Sequence, residues 1–337
     1  METINVAVAG LGRIGKIHLK NLARNFSEIK VVAAMDVFDE SKAIADEFNV
    51  PVFVKTFEEL LDVPDLDAVV ICSPTDTHAD YVIQAARAGV QIFCEKPLDL
   101  SLERVQEVLE VVKKEGVHLM LGFNRRFDPE FKKIKALVEN DAVGDPQIIK
   151  ITSRDPGPPP VSYIKSSGGM FLDMTIHDFD MARYISGKRV KEVYAKATVK
   201  VDPEIAQAGD VDTAVITLTF EDDSMAVIDN CRKAAYGYDQ RLEVFGSKGM
   251  VQAENNFPNN HKLYTETGVS GDLPLHFFLE RYDASYNQEI REFIDALVSG
   301  SAMPVDGEDG LISIAMGLAA KKSVEENRPV KMTEILA

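Results

Sequence analysis

The sequence predicts two domains of different build: an α/β domain with a doubly wound parallel sheet over residues 1–123, and an α+β domain over 124–337 with a large open, mostly antiparallel sheet. Three observations predict this. A chain of 337 residues, at roughly 150 residues per domain, suggests about two domains. In the first 123 residues, short and nearly continuous apolar runs alternate with helical patterns, the mark of strands covered on both faces by crossover helices. Beyond Phe123, strands follow one another across short polar turns, which favours antiparallel pairing.

The first half reads in order. The run Ile4-Asn5-Val6-Ala7-Val8-Ala9-Gly10 is a strand, and 14–26 has helical periodicity. A second strand covers 30–36, a helix 41–48, and the apolar Ala68-Val69-Val70-Ile71-Cys72 a further strand. A helix at 77–88, a strand at 90–94, a helix at 101–115 and a strand at 118–123 complete the series. In the second half a helix at 129–139 precedes strands at 147–152, 190–199, 214–220, 225–230 and 241–245. Glu221-Asp222-Asp223-Ser224 and Gly246-Ser247-Lys248-Gly249 supply turn chemistry between them. Helices at 169–185, 278–298 and 307–326 would cover one face of that sheet. The Pro-rich run Asp155-Pro156-Gly157-Pro158-Pro159-Pro160 reads as a stiff loop.

Composition excludes several classes. Against 37 Lys+Arg stand 54 Asp+Glu, a net charge of −17, which makes nucleic acid a poor partner because that affinity comes mainly from cations. The longest uncharged apolar stretch, 310–320, is eleven residues, where a membrane span needs about 20. The first residues lack a basic region before the apolar run, so the cytoplasm is the expected location. Cys72, Cys94 and Cys231 are odd in number and lack CxxC spacing, so reduced thiols are expected rather than disulfides or a zinc site.

Gly10-Leu11-Gly12-Arg13-Ile14-Gly15 follows the first strand and opens the first helix, the context in which a glycine motif binds a dinucleotide. The glycines allow a tight turn, backbone approach to a pyrophosphate and close helix–strand packing, while the helix N-terminus offers unpaired N–H donors. Asp36 ends the second strand 21 residues after Gly15, where a carboxylate can accept hydrogen bonds from an adenine-ribose diol. No Arg follows it to neutralise a 2′-phosphate, so NAD is expected over NADP. Ser73 and Thr75 lie just past a strand end at the carboxyl edge of the sheet and are candidate cofactor neighbours. The first domain is therefore read as a Rossmann domain.

Glu95-Lys96-Pro97 lies past the carboxyl end of the next strand, so Lys96 could project from the same edge. Its ammonium can donate to an alcohol or carbonyl oxygen and stabilise negative charge as the C–O bond changes order. Further along, helical spacing puts Asp173 and His177 at i and i+4, with Asp180 and Tyr184 on the same face. A neighbouring carboxylate orients an imidazole and raises its proton affinity, which makes His177 a candidate base for an alcohol. A metal held by Asp173, His177 and Asp180 is the disfavoured alternative, because hydride transfer needs none when Lys96 stabilises the oxygen.

These segments, with Gly122-Phe123-Asn124-Arg125-Arg126-Phe127-Asp128-Pro129, Ser153-Arg154-Asp155-Pro156 and Tyr236-Gly237-Tyr238-Asp239, occur in an order that resembles the glucose-fructose oxidoreductase/inositol dehydrogenase family over nearly the whole chain. The likeness is greatest to its inositol 2-dehydrogenase branch. The resemblance implies catalysis by Lys96, Asp173 and His177, cofactor contacts from Gly10, Gly12, Arg13, Ile14, Gly15, Asp36, Ser73, Thr75, Glu95 and Lys96, and a cis peptide before Pro97. It further implies a polyol pocket lined by Lys96, Arg126, Asp155, Asp173, His177 and Tyr238, no bound metal, and a homotetramer formed through the open sheet. The implied reaction is NAD-dependent oxidation of a cyclic polyol, myo-inositol to 2-keto-myo-inositol (scyllo-inosose). Alternatives are scyllo- or chiro-inositol or another sugar as substrate, an NAD-retaining glycoside hydrolase, and a non-catalytic sugar sensor.

Overall fold

The computed structural model describes residues 3–337. The chain forms two compact units, one of residues 1–124 and 285–312, the other of 125–284 and 313–337.

In the first unit six strands form a parallel sheet: β1 (Ile4–Ala9), β2 (Ile29–Met35), β3 (Val52–Val54), β4 (Ala68–Ile71), β5 (Gln91–Glu95) and β6 (Leu119–Gly122), in the order β3-β2-β1-β4-β5-β6. The helices α1 (Arg13–Asn25), α2 (Lys42–Glu47), α3 (Phe57–Leu61), α4 (Thr75–Arg87) and α5 (Leu102–Glu115) make the crossovers. Ala7, Val8, Ala9, Val69, Val70, Ile71, Ile92 and Phe93 are wholly buried, as strands covered on both faces must be. The chain leaves β1 to one side for β2 and β3 and returns to its other side with β4, so the strand order reverses between β1 and β4. Open α/β sheets bind ligands beyond the carboxyl ends of the strands at such a point. Residues 285–312 join this unit because the inner face of a late helix is apolar: Ile290, Phe293 and Ile294 are buried, and Phe293 meets Phe93 edge-on at 5.7 Å.

The second unit contains α6 (Pro129–Glu139), α7 (Val161–Ser167), α8 (Gly169–Asp173), α9 (Ile176–Ser186), α10 (Pro203–Gln207) and α11 (Phe278–Arg281). The helix α12 (Asp283–Ser299) supplies the apolar face just described, and α13 (Gly307–Glu326) follows it. The strands are β7 (Pro146–Arg154), β8 (Val190–Thr198), β9 (Thr213–Phe220), β10 (Met225–Cys231), β11 (Asp239–Gly246), β12 (Gly249–Ala253), the hairpin β13 (Leu263–Thr265) and β14 (Gly268–Ser270), and β15 (Val330–Lys331). Seven of them form a sheet in the order β12-β11-β7-β10-β9-β8-β15. Its pairs are antiparallel except β7–β10, which is parallel, so the sheet is mixed and mostly antiparallel. Alternation gives it one buried face, with Ala214, Ile216, Leu218 and Phe220 on β9, and one open face. On the open face Met225, Ile148, Phe245 and Met250 are register partners in one row across β10, β7, β11 and β12, each 40–51% exposed.

Two expected helices are broken. The 169–185 segment splits into α8 and α9, because Met174 N–H and Thr175 N–H both donate to Met170 O and the ladder slips by one residue. Thr175 also turns its hydroxyl to Asn230 Oδ1, 2.6 Å away. The 278–298 segment breaks at Tyr282 (φ −114°, ψ 17°) into α11 and α12. The short β3, α3, α7, α10 and the β13–β14 hairpin have too few residues to show a period in sequence. Cys72, Cys94 and Cys231 are free thiols. Among the described residues no helix is long and apolar enough to cross a membrane.

Candidate active site

The glycine loop of the first unit is built by contact. Gly10 has φ +90°, and a Cβ there would stand 2.7 Å from Ser73 N; a Cβ on Gly15 would strike the Gly10 carbonyl. Around Gly12 the space is open, and no side chain caps α1 at that residue. The α1 N-terminus thus faces a free volume with its first N–H groups unclaimed by a cap and no acidic residue in its first turn. That arrangement fits a pyrophosphate. Asp36 is buried beside it and accepts from Leu11 N–H (2.7 Å) and Phe38 N–H (3.0 Å). Each carboxylate oxygen keeps a second acceptor site for a ribose hydroxyl. Arg13 is exposed at the start of α1, and Ile14 is half-buried.

The neighbouring strand ends are cross-tied. Ser73 Oγ and Thr77 Oγ1 lie 2.6 Å apart, and Thr75 opens α4. His78, buried, sets Nδ1 2.8 Å from Pro97 O and Nε2 2.8 Å from Ser73 O, so one ring bridges the turns after β4 and β5. Lys96 is half-buried in the second of these turns, and the Lys96–Pro97 peptide is cis, as expected. A lone histidine on a helix carries no motif, so this role of His78 has no signal in the sequence.

In the second unit Asp173 ends α8, and His177 lies in the first turn of α9. The Gly168–Gly169 pair holds left-handed backbone (φ +85° and +77°), and Asp210 accepts from Met170 N–H at 3.0 Å, which starts α8 at that point. Asp173 Oδ1 accepts from the Tyr163 hydroxyl at 3.0 Å, and its Oδ2 from Arg232 Nη1 at 3.4 Å. Asp155 Oδ2 is 3.9 Å from the same nitrogen. Arg232 is buried, and its Nε and Nη2 meet no hydrogen-bond acceptor among the described residues. Two carboxylates and an under-satisfied guanidinium therefore share one region, with donors and acceptors suited to a neutral, hydroxyl-rich ligand. Burial pushes the Asp155 carboxyl up to about 6; Arg232 opposes the shift and the charge of Asp173 adds to it.

A polar network supports this region from below. Arg125 Nη1 donates to Asp178 at 2.5 Å and Nη2 to Ser153 Oγ at 3.3 Å; Asn230 bonds the other Asp178 oxygen at 2.9 Å. Arg126 is buried against Asp180, with Nε 2.9 Å from Oδ2, and its guanidinium lies 5.2 Å from the Tyr184 ring. Asp180 and Tyr184 thus serve Arg126 in the structure. Tyr238 is buried with its ring edge-on to Tyr282 at 6.0 Å, and burial holds its phenol well above the usual range. Arg232, Tyr163 and Asp178 were missed in sequence because they come from elements far apart in the chain.

Comparison with known proteins bears on the family and the fold. Residues 4–123 match the model of the oxidoreductase family with an NAD-binding Rossmann fold, and residues 131–252 match the GFO/IDH/MocA C-terminal domain. The chain is 50% identical over 334 residues to the myo-inositol 2-dehydrogenase of Thermotoga maritima, covering 99% of this chain and 100% of that one. The crystal structure of a probable dehydrogenase from Thermotoga maritima superposes with a TM-score of 0.97 at 50% identity, covering 98% of this chain and 100% of that one. A scyllo-inositol dehydrogenase from Lactobacillus casei, solved with NAD(H) and scyllo-inositol, gives 0.92 at 32% identity, covering 98% and 100%.

The chain belongs to the GFO/IDH/MocA oxidoreductase family.

As a member of that family it is an NAD-dependent oxidoreductase, and the open space at Gly12 before the uncapped α1 N-terminus, with Asp36 beside it, fits that cofactor. Replacing Asp36 by Asn should weaken NAD⁺ binding about tenfold, on the order of 1 to 2 kcal/mol, and narrow the preference over NADP⁺. Isothermal titration with both nucleotides measures this; unchanged affinities would remove Asp36 from the ribose site. The ionisation of Asp155 near 6 should appear as an acid limb in kcat/KM for the alcohol substrate. Activity should fall as pH drops and the Asp155 carboxylate takes up a proton. In Asp155→Asn that limb should vanish, and its persistence would assign the ionisation elsewhere.

Proposed function

We propose that the protein oxidises one secondary hydroxyl of a cyclic polyol, with myo-inositol converted to 2-keto-myo-inositol (scyllo-inosose). The observation that carries this reading is the grouping of Asp155, Asp173 and Arg232, whose acceptors and buried unpaired donors suit a neutral ring of hydroxyls. The 50% identity over full length to a myo-inositol 2-dehydrogenase supports the same substrate.

In the proposed mechanism NAD⁺, when bound, supplies the hydride acceptor. His177 takes the proton of the reacting hydroxyl. Lys96 donates a hydrogen bond to that oxygen and stabilises it as it becomes a carbonyl. Asp173, anchored by Tyr163 and Arg232, holds the imidazole and accepts from a ring hydroxyl. Arg126, Asp155 and Tyr238 complete the polyol contacts, Arg126 from its pair with Asp180. Gly10, Gly12, Arg13, Ile14, Gly15, Asp36, Ser73, Thr75 and Glu95 serve the cofactor.

The open sheet face supports a further part of the reading, a homotetramer. Exposed Met225, Ile148, Phe245 and Met250 form a continuous apolar row, and such rows mark interaction surfaces. The acidic charge and the absence of a membrane-length helix among the described residues support a cytoplasmic enzyme without nucleic-acid or membrane partners.

Two measurements test this. NADH absorbance with NAD⁺ or NADP⁺ against myo-, scyllo- and chiro-inositol and glucose should show NAD⁺-dependent oxidation of myo-inositol. Lys96→Ala and His177→Ala should each lose on the order of 10²- to 10⁴-fold in kcat; turnover within a few-fold of wild type in both would sink the mechanism. Light scattering after size exclusion should give a tetramer for the wild type and a smaller species for Phe245→Glu. An unchanged assembly in the variant would move the interface off this face.

A further inference from the structure

Beside the lysine turn of the first unit lies a cluster of titratable groups, of which the proposed chemistry uses Glu95 alone. His18 on α1, Glu95 at the end of β5 and Glu289 on α12 bring one side-chain nitrogen or oxygen each within 4.8 Å of one another. His18 Nε2 is 2.8 Å from Glu95 Oε1 and 3.8 Å from Glu289 Oε1. The side chains of His18 and Glu289 are fully buried and that of Glu95 is 12% exposed. Phe93 and Tyr286 stand edge-on to the imidazole at 5.1 and 5.8 Å, so the surroundings are apolar. Other titratable groups facing the cluster are Cys72 after β4 and Cys94 in β5, both thiols pushed well up by burial and then by the charge of Glu95. His78 on α4 feels the charges of Glu95 and Lys96.

The cluster has one acid too many. Neither carboxyl oxygen of Glu289 meets a hydrogen-bond donor among the described residues. Burial, and then the charge of Glu95, pushes its carboxyl well above the usual range. An ionised carboxylate without a donor is strongly disfavoured in an apolar interior. A neutral acid resolves the conflict, because its own O–H becomes the missing donor and Glu95 offers an acceptor oxygen within 4.8 Å. The fold also leaves a fitted space for Glu95: a Cβ on Gly122 in β6 would come within 2.9 Å of its carboxyl carbon.

We infer that Glu289 is a carboxylic acid that donates to Glu95, and that the series His18, Glu95, Glu289 is a positioning device for the turn carrying Lys96. Glu95 is gripped from two sides, and its chain neighbour is the lysine. Beyond the lysine, His78 holds Pro97 O at 2.8 Å, so the turn is clamped at both ends. The positioning role rests on the role proposed above for Lys96; the proton on Glu289 does not.

Infrared difference spectroscopy of the wild-type protein against Glu289→Gln reads the proton. A carbonyl band of a neutral carboxyl at neutral and mildly alkaline pH, lost in the variant, is expected. Kinetics read the positioning. Glu289→Ala should lower kcat on the order of 10- to 100-fold with a much smaller change in KM for NAD⁺, and move the alkaline limb of the pH profile. Glu289→Gln keeps a donor to Glu95 and should restore most of the loss, a rescue that a cavity effect alone would not single out. Absence of the band, or equal kcat in the Ala and Gln variants, overturns the inference. So does a stoichiometric metal ion retained by the wild type and not by Glu289→Gln. A wild-type protein that shows the band but oxidises no inositol would overturn the proposed function while the proton on Glu289 stands.

Discussion

The close approach of α1 to the end of β1 is the constraint on which the first unit depends. A methyl group on Gly15 would overlap the Gly10 carbonyl, and one on Gly10 would crowd the Cys72–Ser73 backbone. Only with both positions bare can the helix start immediately above the sheet, with its N–H groups facing the open space at Gly12. Asp36 then reaches back to Leu11 N–H, so the carboxylate proposed for the ribose also braces the loop proposed for the pyrophosphate. Binding and packing use the same atoms.

The second unit depends on buried charge that is almost fully paired. Arg125 with Asp178, Arg126 with Asp180 and Arg281 with Asp128 are ion pairs out of water, and each is extended by hydrogen bonds or ring contacts. Such pairs contribute little net stability but make wrong arrangements expensive, because a displaced partner leaves a buried charge alone. Two of them hold α9, which carries His177, at Asp178 and Asp180. Arg232 stands apart from this pattern. It is as buried as the others, yet two of its nitrogens have no partner among the described residues, beside the two carboxylates of the candidate pocket. Among the described residues the shortfall of partners at these four arginines is largest at Arg232, with Arg281 leaving only its Nε without one.

Much was legible in the chain itself. Residues 129–139 and 307–326 are helices at the bounds their periodicity gave, since a long amphipathic or apolar stretch with clear caps leaves few choices. The parallel series was legible because strands covered on both faces must be apolar throughout. The break at Met174–Thr175 was not, because it arises from the Thr175–Asn230 hydrogen bond, 55 residues apart. His18 was equally mute: on α1 it looks like any helical histidine, and only the return of α12 supplies Glu289.

By itself the sequence determined the order of the longer elements, the glycine loop and the residue types able to carry a hydride-transfer reaction. These follow from local steric and periodic rules that act within a few residues. Tertiary structure alone decided which charges meet: Arg126 with Asp180, Arg232 with Asp173 and Asp155, and Glu289 with His18 and Glu95. Electrostatic and hydrogen-bond energies depend on distance and burial in space, and neither quantity is written in the spacing along a chain.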